Sequence, residues 1–216
     1  MRISGNFGTI VLFAIAGGFG IAALSKAHSH SVNKPMPRIL DVPASEVIGP
    51  VTDFAGTPSA KYTLVEFGDY QCPPCHAAEG KLRSLLEEKR GVVRLVFRNL
   101  PLKQIHPYAM RAAVDAEAAR AIGRFWEVHD AFYNVNPTDF NMQAIDDLES
   151  SKGLHTPQFV KLRATRGISA VETDMHEATK LKVTRTPTFI LCDADNHARC
   201  YSSLAEVSDV LNVIHE

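Results

Sequence analysis

Cys72 and Cys75 close the stretch Phe67-Gly-Asp-Tyr-Gln-Cys-Pro-Pro-Cys75, and two thiols at this spacing support two kinds of chemistry. The pair can cycle between dithiol and disulfide, or it can supply half of a four-ligand zinc site. The other cysteines, Cys192 and Cys200, are remote, their spacing is unlike a metal knuckle, and no second Cys-x-x-Cys is present. Position favours redox chemistry. Tyr62–Phe67 reads as a buried strand, and a helical pattern begins directly after the cysteines. Thiols at a helix start meet unpaired N–H groups and a positive dipole end, both of which favour thiolate over thiol.

Glu66 is the oddity of that strand, a carboxylate between Val65 and Phe67. Two readings are open: an edge-strand side chain facing water, or an acid buried beneath the sulfurs. In the second, desolvation raises its pKa and lets it exchange a proton with the deeper thiol.

The elements that must hold these groups follow from periodicity. Ala78, Leu82, Leu85 and Leu86 keep a helical spacing that stops at Lys89-Arg90-Gly91, and Val92–Phe97 is a second buried strand. Strand, helix and strand in this order predict a parallel pair with a right-handed crossover. From about 104 to 182 the pattern is helix after helix: 108–122, 125–133, 141–151, 157–165 and 170–181, with Asp139, Thr156 and Ser169 as expected N-caps. Such a block cannot belong to the sheet and reads as a helical insertion. Phe125, Val128, His129 and Phe132 share one face, so His129 reads as a packed or groove-lining residue rather than a metal ligand.

The sheet resumes at Thr186–Cys192 and returns through Arg199-Cys200-Tyr201, with a last helix over 205–214. A three-residue loop at Asp195-Asn196-His197 sets Cys192 opposite Cys200, close enough for a bridge. In an oxidising compartment a structural disulfide is expected there. Pro187 opens a strand, which proline tolerates poorly without an edge position or a function.

At 216 residues the chain suits one well-packed domain, and a formal net charge of −1 with no basic stripe gives nucleic-acid binding no support. Phe7–Leu24 is uncharged and largely apolar, about 27 Å long as a helix, which is close to the thickness of a hydrocarbon core. It reads as a signal anchor in the inner membrane or as a signal peptide within 1–27 cleaved after Ser25-Lys26-Ala27. Residues 28–46 read as a flexible linker whose His28 and His30 are solvated, 47–56 as a short leading strand, and 47–216 as the folded domain.

Three segments taken together resemble the DsbA-like thiol–disulfide oxidoreductases of the thioredoxin superfamily: Val65–Cys75, Phe125-Trp-Glu-Val-His-Asp130 and Thr186-Pro-Thr-Phe189. The resemblance covers about residues 55–216. It implies an α/β fold, a thioredoxin-like mixed sheet flanked by helices with an inserted helical subdomain. It also implies an exposed nucleophile at Cys72, a resolving thiol at Cys75, a buried acid at Glu66 and a substrate-pairing cis-proline loop at Thr186-Pro187. Cysteine-containing substrate proteins, a membrane redox partner that recycles the cysteines, an extracytoplasmic location and no cofactor or metal follow from the same likeness. Reductase or isomerase action and non-enzymatic copper binding by the two thiolates are the alternatives.

Two features depart from the pattern. Strongly oxidising members carry Pro-His between the cysteines, whereas here Pro73-Pro74 stands there and Pro74 removes an N–H that could face a thiolate. A Cys72 pKa below that of a free thiol, yet above that of the most oxidising relatives, is the expectation. Arg185 replaces a common glycine before Thr186-Pro187, leaving open whether its cation lies near the site or in solvent.

Overall fold

The computed structural model describes residues 37–50 and 53–213, so the apolar run at 7–24 and residues 25–36 lie outside the described residues. The fold starts with strand β1 (Arg38–Leu40) and helix α1 (Ala44–Ile48). Both correct the sequence reading. The expected linker ends before Arg38, because β1 pairs antiparallel along the far edge of the sheet and buries Leu40. Residues 47–56 form no single leading strand either: Val47 and Ile48 close α1, and only Ala55–Gly56 (β2) is extended. Gly49 at φ 70° separates the two.

At the centre lies β3 (Tyr62–Gly68), parallel to β4 (Val93–Asn99) and joined to it by α2 (Pro73–Glu88), as the strand–helix–strand pattern predicts. Helices α3 (Ala109–Arg120), α4 (Phe125–Tyr133), α5 (Met142–Ser151), α6 (Pro157–Leu162) and α7 (Ile168–Lys180) follow, then β5 (Thr188–Cys192), β6 (Ala198–Tyr201) and α8 (Leu204–Val213). The sheet order is β1-β6-β5-β3-β4-β2. A strand with neighbours on both sides and helices on both faces must be apolar throughout, which is why β3 reads as a continuous run rather than an alternation.

One face packs Leu64, Leu95, Phe189 and Leu191 against α2 and α8, and the other packs Val65, Phe67, Val96 and Ile190 against α1 and the end of α7. The insertion builds its own aromatic and alanine-rich core, which reaches Cys72 and Cys75. Polar bonds lock it to the sheet. Arg98 Nε and the Asn99 N–H each donate to Asp174 at 2.8 Å, and Asn99 Nδ2 donates to Glu117 Oε1 at 2.8 Å, tying β4 to α7 and α3.

Three local expectations change. Thr156 caps α6 through Phe159 N–H as expected, but Asn141, not Asp139, caps α5 through Ala144 N–H. Ser169 caps nothing, because α6 runs through a π-turn (Arg163–Gly167) straight into α7. The third concerns Cys192 and Cys200. Asp193 N–H bonds His197 O, so the loop is Ala194–Asn196, one residue earlier than expected, and a one-residue shift of a hairpin loop moves every partner by two. Cys192 therefore faces Ala198 and Cys200 faces Ile190; the thiols are diagonal neighbours, unbridged and free.

Gly68 ends β3 where space runs out. A Cβ there would lie 2.3 Å from Phe97 Cε2, in a buried ring that has nowhere to move. Gly68→Ala is expected to lower stability by about 1–3 kcal/mol, the usual cost of overpacking, read as a lower urea midpoint at unchanged slope.

Candidate active site

The turn between β3 and α2 is held by a residue whose importance the sequence reading did not draw out. Asp69 is buried and accepts from Gln71 N–H, Leu102 N–H and His106 Nδ1, each at 2.8 Å. Gln71 extends the clamp, with Oε1 accepting from Tyr108 N–H at 2.9 Å. An aspartate two residues before a turn N–H is an Asx-turn signature, so the local half of this role was legible in Gly68-Asp-Tyr-Gln71. Its bonds to Leu102 and His106 were not.

Cys72 is the N-cap of α2 at φ −82° and ψ 116°, with Pro73 and Pro74 in the first helical positions. Neither proline has an N–H, so Cys75 N–H and His76 N–H are the first to close on Cys72 O, at 3.0 and 3.2 Å. The Cys72 thiol sits against Thr186 O at 3.6 Å. Once ionised it can no longer donate, and the buried Thr186 hydroxyl, which has no other partner, is placed to donate to it.

The two sulfurs are driven apart in protonation. A hydrogen bond from the Cys75 thiol lowers Cys72 most; Thr186 and Cys75 N–H add to it, against burial and the Asp69 charge, and Cys72 is lowered to about 6. Burial pushes Cys75 far up, with its bond to Cys72 and the Glu66 charge acting in the same direction. Cys72 is 5% exposed and Cys75 1%. The nucleophile is thus less open than the resemblance implied, because Thr186 and the insertion close over it.

Glu66 takes the buried reading. It is 1% exposed, pairs across β3 with Phe97 and Phe189, and leaves Oε2 without a partner. Burial, then Glu79, then Cys72 raise its pKa well above the ordinary carboxylate value. His129 is packed as expected, in contact with Tyr70, Phe97, Phe125, Trp126 and Tyr133.

Thr186–Pro187 is a cis peptide immediately before β5. It forms one lip of a groove of about 780 Å³ whose other walls are Pro74, Ala77 and Lys81 of α2 and Ser202–Ala205 before and within α8. Arg185 is exposed on that lip. Cys192 and Cys200 pack instead on the α1 side of the sheet, where burial pushes Cys192 up to about 12. Clusters of His, Asp and Glu among the described residues include neither Cys72 nor Cys75.

A mixed sheet with a Cys-x-x-Cys at the tip of its crossover helix and a cis-proline beside it defines a thiol–disulfide oxidoreductase class of site. The family model described as Thioredoxin matches residues 50–208, and the chain belongs to that family. A solved thioredoxin-like oxidoreductase from Silicibacter pomeroyi is 25% identical, with a TM-score of 0.66 over 79% of this chain and 96% of that one. The Wolbachia pipientis thiol–disulfide exchange protein alpha-DsbA2 shares the fold at 18% identity, TM-score 0.62, over 79% and 90%. Among curated proteins, the Salinispora tropica Na(+)/H(+) antiporter NhaA 3 is 36% identical over 147 residues, 66% of this chain but 22% of that protein. The chain thus spans about a fifth of the length of such relatives.

Titrating the reduced protein by ultraviolet thiolate absorbance is expected to show one step near pH 6. Cys72→Ser removes it, and Cys75→Ala moves it to higher pH because the leading hydrogen bond is lost. With its folded pKa depressed, ionised Cys72 stabilises the reduced fold above the unfolded thiol value, and that stability is lost as pH falls through about 6.

Proposed function

We propose that this chain is an exported thiol–disulfide oxidoreductase that passes the Cys72–Cys75 disulfide to thiols of substrate proteins, acting mainly as an oxidant. The observation that carries the reading is the split between two adjacent sulfurs, one lowered to about 6 and the other held protonated by burial. Such a pair has one good leaving and attacking group and one silent partner.

In the oxidising direction a substrate thiolate attacks Cys72, the Cys72–Cys75 bond breaks, and Cys75 leaves as a thiolate that takes a proton from Glu66. The substrate's second thiolate then attacks its own mixed-disulfide sulfur and releases Cys72 as the stabilised thiolate. Two electrons have moved from substrate to enzyme. Thr186 and Pro187 line the groove in which substrate backbone lies beside Cys72. A membrane redox partner takes the two electrons on.

Residues 7–24 tether the domain to the inner membrane and raise the effective concentration of that partner. Disulfides persist outside the cytoplasm, so the domain works on the extracytoplasmic face. The similarity of 147 residues of this chain to part of an antiporter supports work at a membrane. No described helix is long and apolar enough to cross one.

Pro73-Pro74 tempers the oxidising power. A glutathione titration is expected to place the Cys72–Cys75 potential between about −270 and about −120 mV. A reading at the first limit makes the chain a reductase; one at the second removes the role given to Pro74. In an insulin-reduction assay turnover is lost in Cys72→Ser, whereas Cys75→Ser accumulates a mixed disulfide. Copper retention without turnover in the wild type rejects the enzymatic reading.

A further inference from the structure

Three buried polar atoms around Cys75 lack a hydrogen-bond partner: Glu66 Oε2, Tyr133 Oη and His129 Nε2. Buried polar groups are normally bonded, so three orphans in one place call for an account. They lie along one seam. A Cβ on Gly68, two residues past Glu66 on the same face of β3, would stand 3.0 Å from Tyr133 Oη. The Tyr133 ring is edge-on to His129 at 4.9 Å between centroids, and Tyr70 Oη lies 3.2 Å from His129 Nδ1.

His129 is wholly buried and turns Nε2 towards Glu79 Oε2, 3.7 Å away. Glu79 follows Cys75 by one helical turn on the inner side of α2 and is 13% exposed. Its other oxygen meets Arg83 Nε at 3.0 Å, and Arg83 also reaches Asp130 at 2.8 Å on the surface. Proton-carrying groups therefore run from beneath Cys75 to solvent through a wall of Phe97, Phe125 and Phe132 that can carry none.

We propose that Glu79 and His129 form the outlet through which the proton held by Glu66 exchanges with solvent, with Tyr133 and Tyr70 lining the way. The inference rests on the disulfide-exchange reading above. Glu66 gives a proton to the Cys75 thiolate as the Cys72–Cys75 bond breaks, is reprotonated from solvent in the reduced state that burial favours, and must shed that proton before it can accept the one Cys75 loses on reoxidation. Cys72 offers a poor entry at 5% exposure and is covered by substrate during the step. Glu79, Arg83 and Asp130, between α2 and α4, line a separate surface pocket. The end states suit the role: Glu66 is kept protonated, whereas burial pushes Glu79 up but His129 and then Arg83 outweigh it, leaving it below the ordinary carboxylate value. Both Glu79 and His129 are positioning residues, since neither touches a sulfur.

The full oxidised chain is mixed with excess dithiol peptide in a stopped flow, and the reduction step is followed by Trp126, the single tryptophan, whose ring lies 4.8 Å from His129. Glu79→Ala is expected to slow the step about tenfold, less than the loss of a group that itself transfers the proton at the reacting atom, because Glu79 acts through Glu66. Added formate restores the rate, Glu79→Asp stays near wild type, and the slowing disappears in a Glu66→Gln background. Wild-type speed in Glu79→Ala overturns the outlet, as does a slowing that formate does not relieve and that persists without Glu66. A wild-type chain that exchanges no disulfide at all rejects the underlying functional reading instead.

Discussion

The unequal protonation of Cys72 and Cys75, with the neutral Cys75 thiol favouring an ionised Cys72, is the constraint on which the rest of the site depends. It needs one sulfur charged and the other neutral, so everything nearby is arranged to make those states unequal. Cys72 sits at the helix cap, where Cys75 N–H and Thr186 can serve an anion, and Cys75 sits one turn in, where burial penalises one. Moving either sulfur by one helical position would cancel the difference. That is why the turn before them is clamped by Asp69 and Gln71 to the distant connection between β4 and α3.

Burying acid and base groups in this region has a thermodynamic cost, and the molecule offsets it in two ways. Groups with a chemical task are kept neutral by desolvation, as with Glu66, Tyr70 and Tyr133. Groups with an architectural task are paired. Within the insertion, fully buried Asp115 and Glu149 are faced by Arg111 and Arg163, and burial followed by Glu149 pushes the Asp115 carboxyl up from its ordinary value. Removing one partner from such a set leaves an uncompensated buried charge, which fixes how α3, α5 and the π-turn meet. The insertion is consequently a rigid lid over the cysteines, not a loose appendage.

Chemistry close in sequence was legible. Cys72, Cys75, the strand before them and the helix after them follow from composition and period over a short stretch, and Glu66 stood out because a carboxylate inside an apolar run must be explained. Pro187 was visible for a similar reason. The sequence misleads at Asp139, Ser169 and the Cys192–Cys200 pair, where one residue decides the outcome: which side chain caps a helix, whether a π-turn carries it onward, and where a hairpin loop closes. Arg38–Leu40 reads as linker in the sequence because three edge residues carry no period of their own.

By itself the sequence determined the two thiols, their place at a strand-to-helix junction and the presence of a helical block between sheet halves, because those properties are set by neighbours within a few residues. Tertiary structure alone decided that Glu66 is buried rather than edge-facing, that Cys72 lies against Thr186, and that Glu79, His129, Tyr70 and Tyr133 gather behind Cys75. Desolvation and Coulomb energy depend on distance through space, and residues 66, 79, 129 and 186 become neighbours only when the sheet closes and the insertion folds onto it.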